Sequence, residues 1–223
     1  MKLFIANKNY SSWSLRAWLI LNKLDIKHEE IMLKLFTKAF YQSLQGIAAN
    51  SKVPAIQDGE LTVCESLAIG EYISEAYCSG AGWPSTVAER AKARALSAEM
   101  VSSFTALRTA MPMNIRANRR VDITVAVQKD ISRINEIFSQ HSNYEGGWLF
   151  GNWSIVDAMY APVVLRFKTY GVYLSPQAQQ YCNHVLGCPT LKRWIDAALE
   201  ETDIVPEDEA GEEYVLRVIQ QDS

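Results

Sequence analysis

Apolar positions in the first eighty residues change period several times, and each change marks an element. Lys2–Ala6 is a short β-rich run. Ser12 to Leu24 then carries Trp13, Ala17, Ile20, Leu21 and Leu24 on one stripe, the spacing of an amphipathic helix. His28 to Leu33 alternates as a second strand would, so the start of the chain reads as a βαβ unit with a right-handed crossover. A loosely patterned stretch, Phe36 to Asn50, leads into KVPAIQDGELTVCES. There Ala55-Ile56-Gln57 and Leu61-Thr62-Val63-Cys64 flank Asp58-Gly59, a hairpin signal because the tight primed turn needs positive φ. Ser66 to Tyr77, with Leu67, Ile69, Tyr72 and Ile73 apolar, closes the series as a helix. The predicted order is β-α-β-α-β-β-α.

Beyond the punctuated segment Cys78–Ser85, CSGAGWPS, strands disappear from the pattern. Thr86 to Met111 carries Leu96, Met100, Phe104, Leu107 and Met111 at helical spacing, and Pro112 ends the run. Asp122 to Gln140 is a second amphipathic helix. NWSIVDAMYAPV opens a third, with Ser154-x-x-Asp157 placed as a capping box. Two shorter helices fit Pro176–Val185 and Pro189–Glu200. The tail from Glu201 to Gln221 is acidic and reads as a solvated, partly ordered extension. The fold class expected is α/β plus all-α: a thioredoxin-like domain over residues 1–79, then an all-helical bundle domain over residues 86–223.

Composition narrows the function. A net charge of −3 on 223 residues offers no basic stripe for nucleic acid. The N-terminal apolar run is too short for a signal peptide and nothing approaches a membrane span, so a cytoplasmic location without nucleic-acid or membrane partners is the expectation. Cys64, Cys78, Cys182 and Cys188 have no CxxC spacing. Cys182, His184 and Cys188 lack a fourth ligand, and residues two apart on a helix face different ways, so no metal site is expected. Three histidines and no GxSxG give a serine hydrolase little to build on.

One stretch is unusually rich in hydroxyls: NYSSWSLRAWL, Asn9 to Leu19, where the first strand turns into a helix. Hydroxyls there serve either to cap the helix or to hold an anion or thiolate over its positive end. SSWSLRAWL resembles the serine-containing first helix of the zeta- and theta-like serine classes of cytosolic glutathione transferases. KVPAIQDGELTVCES resembles that family's glutathione-binding segment, and NWSIVDAMYAPV its helical-domain capping box. The matches span residues 3 to about 170. Trp13 stands where zeta enzymes often have cysteine, a departure from that class.

The resemblance implies a role for each matched position. Ser11 would be the catalytic hydroxyl, donating to the glutathione sulfur, with Ser12 or Ser14 capping the helix; Tyr10 is the competing candidate. A free thiol has a pKa of about 8.5, so a donor above a helix N-terminus would raise the thiolate fraction. Val53, before a cis Pro54, would offer a backbone edge to the peptide as an added strand. Ser66 would take the γ-glutamyl carboxylate and Glu65 its ammonium, with Lys52 adding charge. Arg16 reads as a surface ion-pair partner. Glutathione is then the co-substrate and a small hydrophobic electrophile the partner, its pocket lined by Tyr10, Trp13 and the Thr86–Met111 helix. The function implied is conjugation or reduction of that electrophile by a homodimer. Glutathione-dependent isomerisation of the zeta type and a non-catalytic binding or scaffold protein are the alternatives.

Overall fold

The computed structural model describes residues 1–213. Its first part holds strands β1 (Lys2–Ala6), β2 (Glu29–Leu33), β3 (Ala55–Asp58) and β4 (Leu61–Cys64), with helices α1 (Ser12–Lys23), α2 (Lys38–Leu44) and α3 (Ser66–Cys78) between and after them. The sheet order is β2-β1-β3-β4. Strand β1 runs parallel to β2, with Phe4 opposite Ile31, and antiparallel to β3, with Leu3 opposite Ile56. This mixed sheet is the thioredoxin-like arrangement expected from the pattern.

Strand β1 is buried on both faces because side chains alternate across a sheet. Leu3 and Ile5 join the large core that includes Leu15, Ile20 and Ile69 from α1 and α3. Phe4 and Ala6 point the other way, into a smaller cluster with Phe40 and Leu44 of α2. The β3–β4 turn falls at Gly59-Glu60, since Asp58 still pairs with Leu61, and Gly59 takes φ +60°.

Helices α4 (Val87–Ser102), α5 (Thr105–Ala110), α6 (Val125–Ser139), α7 (Ile155–Tyr170), α8 (Pro176–Leu186) and α9 (Pro189–Glu200) form the rest. The single helix predicted over Thr86–Met111 is in fact two. Phe104 adopts a left-handed φ of 59° between them, which ends one helix while keeping its ring buried. Helix α7 runs through the centre, with every residue except Lys168 buried. Its capping box forms as expected: the Ser154 N–H donates to Asp157 Oδ2 at 2.9 Å. The linker docks on the same helix start, where the Ile155 N–H donates to Gly82 O at 2.8 Å. A Cβ on Gly82 would lie 2.7 Å from Ile155 Cδ1 and 3.0 Å from Ser74 Cβ, so a larger residue there would push these side chains aside.

The acidic tail is not a solvated extension where it is described. Residues 201–213 run from the β1–α1 turn towards Asn114–Arg120 and end in β6 (Glu212–Glu213), antiparallel to β5 (Arg119–Arg120). Glu201 accepts from the N–H groups of Lys8 and Asn9, at 2.6 and 3.0 Å. Lys34 Nζ lies 3.0 Å from Asp203, and Val205 is buried. The correction is physical: Glu201, Asp203 and Glu209 meet donors on the folded chain, while Glu207 and Glu212 remain exposed. The remainder of the predicted tail, to Gln221, lies outside the described residues.

Candidate active site

A cleft of about 630 Å³ opens at the junction of β1 and α1. Its walls come from the turn into α1 (Tyr10, Ser11) and the first residues of that helix (Ser12, Trp13), the segment entering β3 (Asn50 to Val53), helix α5 (Thr105, Arg108, Thr109), Arg166 of α7 and Asp208 of the tail. A smaller adjoining recess is lined by Trp13, Asn50, Lys52, Val53, Pro54, Glu65 and Val101. Most residues assigned to the site from the sequence therefore share one continuous surface. Tyr10, Trp13 and the α5 residues are among those that line it.

The three serines divide their work differently from the expected capping scheme. Ser11 is the N-cap of α1 but its side chain makes no cap bond, and Ser12 is the first helical residue. Neither Ser12 nor Ser14 caps the helix through its side chain. Ser14 Oγ instead accepts the N–H of Ala6 at 3.1 Å, tying the end of β1 to α1. Ser11 Oγ donates to Ser14 Oγ at 2.7 Å. Ser12 Oγ accepts from Arg166 Nη2 at 3.1 Å. Hydroxyls both donate and accept, so the Ser11–Ser14 bond can reverse. With Ser14 as donor, the Ser11 proton is free to point into the cleft.

Tyr10 is only 3% exposed, and its hydroxyl is engaged by the tail. It donates to Glu209 Oε1 and accepts from Arg116 Nη2. Glu209 also takes the Asn114 amide at 3.0 Å and pairs with Arg119. Arg116 holds the carbonyls of Glu201 and Asp203. A phenol so committed is a poor donor to a thiol.

On the opposite wall the Val53–Pro54 bond is cis, as the resemblance implied. Glu65 sits just before α3 with φ +72°, is exposed, and accepts from Asn50 Nδ2 at 3.1 Å. Lys52 is exposed at the mouth of both cavities. Ser66 departs from expectation. It is the first residue of α3, not its N-cap, and is 1% exposed; its hydroxyl points to Met159 Sδ at 3.9 Å. What α3 offers an anion here is its backbone N-terminus, not the Ser66 hydroxyl.

Three arginines were missed or misread. Arg16, expected on the surface, is fully buried. Its Nε donates to Met159 O at 2.8 Å and its guanidinium stacks on Trp13 at 4.1 Å. Arg108 lies 5.4 Å from the same ring, on its cleft side. Arg166 is 4% exposed and donates from Nε to Met111 O at 2.8 Å. Burial holds the Arg16 pKa well below its usual value, with Arg166 and Arg108 adding repulsion. Burial also brings Arg166 down to about 10, Arg108 repelling it and Asp208 acting in its favour. The signal was present for Arg166: a lone cation inside the apolar run Val163-Val164-Leu165-Arg166-Phe167.

Comparison with known proteins agrees with this geometry. Residues 10–76 match the family model of the glutathione S-transferase N-terminal domain. No curated protein matches the chain. Among solved structures, a glutathione transferase homologue from Burkholderia gl BGR1, with bound glutathione, is 22% identical; the alignment covers 88% of this chain and 97% of that one, with TM-score 0.69. The theta class enzyme of Xanthomonas axonopodis pv. citri, also with glutathione bound, is 18% identical over 89% and 98%, TM-score 0.66. Maleyl pyruvate isomerase, a bacterial glutathione S-transferase in zeta class, is 19% identical over 91% and 100%, TM-score 0.70. At these identities the likeness is one of fold, and together with the N-terminal match it supports the glutathione transferase family.

Proposed function

We propose that this protein is a glutathione transferase that activates the glutathione thiol for attack on a small electrophile. The observation that carries the reading is the convergence, on one cleft and its adjoining recess, of the α1 N-terminus with Ser11, the Val53 edge, and Glu65 before α3. The reading takes residues 1–79 as the glutathione-binding domain and residues 86–223 as the helical domain completing the electrophile pocket. Glutathione would lie along Val53 with its γ-glutamyl end toward Glu65, the backbone N–H groups of α3 and Lys52. Its sulfur would reach Ser11. There the helix dipole and one hydroxyl donor favour the thiolate over the thiol. The Ser11–Ser14 pair supports this role, since Ser14 can stabilise Ser11 from behind while Ser11 donates forward. Ser12 is occupied by Arg166, which lines the same cleft.

A hydrogen bond to a charged acceptor is worth about 1.5–3 kcal/mol. Losing it should raise the pKa of the bound thiol by roughly 1–2 units. Ser11→Ala should therefore shift that titration upward and lower turnover with a general electrophile, while glutathione affinity changes little. Ultraviolet titration of the bound thiolate measures the shift directly. An unchanged thiol pKa in Ser11→Ala, with a raised one in Ser12→Ala, reassigns the donor.

A further inference from the structure

The turn that carries Ser11 does not satisfy all of its own backbone. The N–H groups of Tyr10 and Ser11 donate to Asn7 O at 3.1 and 2.8 Å, and that of Ser12 donates to Tyr10 O at 2.9 Å. Those of Lys8 and Asn9 leave the turn, and one carboxylate takes both: Glu201 accepts the first on Oε1 and the second on Oε2. Glu201 is the residue at which α9 ends. Two turns earlier on the same helix, Trp194 is fully buried, and its Nε1 donates to Lys8 O at 2.9 Å. Its ring packs 5.2 Å from that of Trp18, which seats α9 against α1.

The peptide unit joining Lys8 to Asn9 is thus held at both polar ends from α9, its C=O by Trp194 and its N–H by Glu201. A peptide unit is planar, so fixing both ends fixes its orientation and constrains the dihedrals that lead on to Ser11. Asn9 is fully buried, and an unmet buried N–H is costly, so this turn geometry depends on the carboxylate. A turn that only joined a strand to a helix could meet such donors from nearby in sequence. Here the acceptor comes from 193 residues away, and neither it nor Trp194 is among the residues lining the cleft.

We propose that Glu201 is a positioning residue for thiol activation: its carboxylate, with Trp194 on the adjoining carbonyl, sets the backbone of the turn so that the Ser11 hydroxyl meets the glutathione sulfur. The inference rests on the reading of Ser11 as the thiol donor. Hydrogen bonds weaken steeply as distance and angle depart from their optimum. A turn free to rock would therefore weaken the Ser11 donation without altering any group that touches glutathione. The sign of the effect separates geometry from charge. Removing a negative charge by itself lowers the pKa of a nearby thiol, whereas losing the Ser11 donation raises it.

The test is ultraviolet titration of the bound glutathione thiol on the full chain, in the wild type, Glu201→Gln, Glu201→Asp, Ser11→Ala and the double variant Ser11→Ala with Glu201→Gln. Glutamine keeps the side chain's size but turns an N–H₂ toward one of the two backbone donors; aspartate keeps the charge but falls short of them. Each should raise the thiol pKa by about half to one unit and lower kcat several-fold below that pKa, while glutathione affinity changes less than about twofold. In the Ser11→Ala background Glu201→Gln should add nothing, since the group it positions is gone. Thr124→Ala, which removes the α6 N-cap bond to the Val127 N–H, is the control for lost stability and should leave the thiol pKa unmoved. A thiol pKa that neither Glu201 variant raises, a rise that persists in the Ser11→Ala background, or one that Thr124→Ala matches overturns the proposal. A thiol pKa that Ser11→Ala itself leaves unchanged instead defeats the assignment of Ser11, and this role of Glu201 falls with it.

Discussion

Asp157 offers a prediction whose size follows from the structure. Its carboxylate is 1% exposed and accepts four hydrogen bonds: from the N–H groups of Leu149 (3.1 Å) and Ser154 (2.9 Å), the Ser154 hydroxyl (3.4 Å) and the Tyr181 hydroxyl (3.0 Å). Burial nevertheless outweighs these donors and pushes its pKa up to about 6. In the unfolded chain an aspartate titrates near 3.9. Between about pH 4 and pH 6 the native state therefore holds more protons than the unfolded one. By linkage, its unfolding free energy falls as pH rises through that window and is level above it. Two units at about 1.36 kcal/mol each give a loss of roughly 3 kcal/mol.

Asp157→Asn removes the titration but turns an amide N–H₂ toward one of the two backbone donors, leaving that donor unmet at a cost of about 1–3 kcal/mol. At pH 4 the variant should be less stable than the wild type by about that amount. At pH 7.5 the wild type bears the buried charge, and the gap should close or invert. Asp157→Ala strands both backbone donors and the Tyr181 hydroxyl, so it should lose about 3–5 kcal/mol at pH 4 and, because it too abolishes the titration, correspondingly less at pH 7.5. Reversible urea unfolding at the two pH values measures all three proteins. Taking the difference between variant and wild type removes the parallel contribution of Asp208, whose pKa burial also raises to about 6. An Asp157→Asn penalty identical at pH 4 and pH 7.5 would refute the reasoning, because it would mean that Asp157 does not titrate between them.

Two further outcomes follow from the proposed site and assembly. Glu65→Ala should weaken glutathione binding roughly fivefold by calorimetry, the loss of one solvent-screened ion pair of about 1 kcal/mol, without moving the thermal midpoint by more than a degree or so; unchanged affinity removes Glu65 from the site. Ala91, Ala95 and Ala98 form an exposed row of small residues on α4, the side that a two-fold partner could approach closely, so sedimentation equilibrium at micromolar concentration should give twice the 25.1 kDa chain mass. A monomer mass refutes the dimer.

What was legible in the sequence divides along the range of the interactions. The strand period of Leu3, Phe4, Ile5 and Ala6, the turn glycine at 59 and the Ser154–Asp157 box are each written within a few residues, and each appears in the fold where its spacing places it. The break at Phe104 is not written that way. A left-handed phenylalanine has no local signature, and only the ring's burial between helices selects it. The tail was misread for a related reason. Glu201, Asp203 and Glu209 look like a solvated acidic run until Lys8, Asn9, Tyr10 and Arg116 are known to face them, across 85 to 199 residues of chain. The arginines lie between these cases. Arg16 and Arg166 each interrupt an apolar stripe, and such a residue has two physical outcomes: it snorkels to water, or it is retained inside with its donors turned to some purpose. Position alone does not choose between them. For Arg166 the choice is made by Ser12 Oγ and Met111 O, which satisfy Nη2 and Nε, while Nη1 is buried without a hydrogen-bond partner. An arginine kept only for packing could be replaced by leucine or methionine without the burial cost. Its placement against the Ser12 hydroxyl ties the electrostatics of the cleft to the same short stretch, Tyr10 to Arg16, in which the proposed thiol donor Ser11 lies.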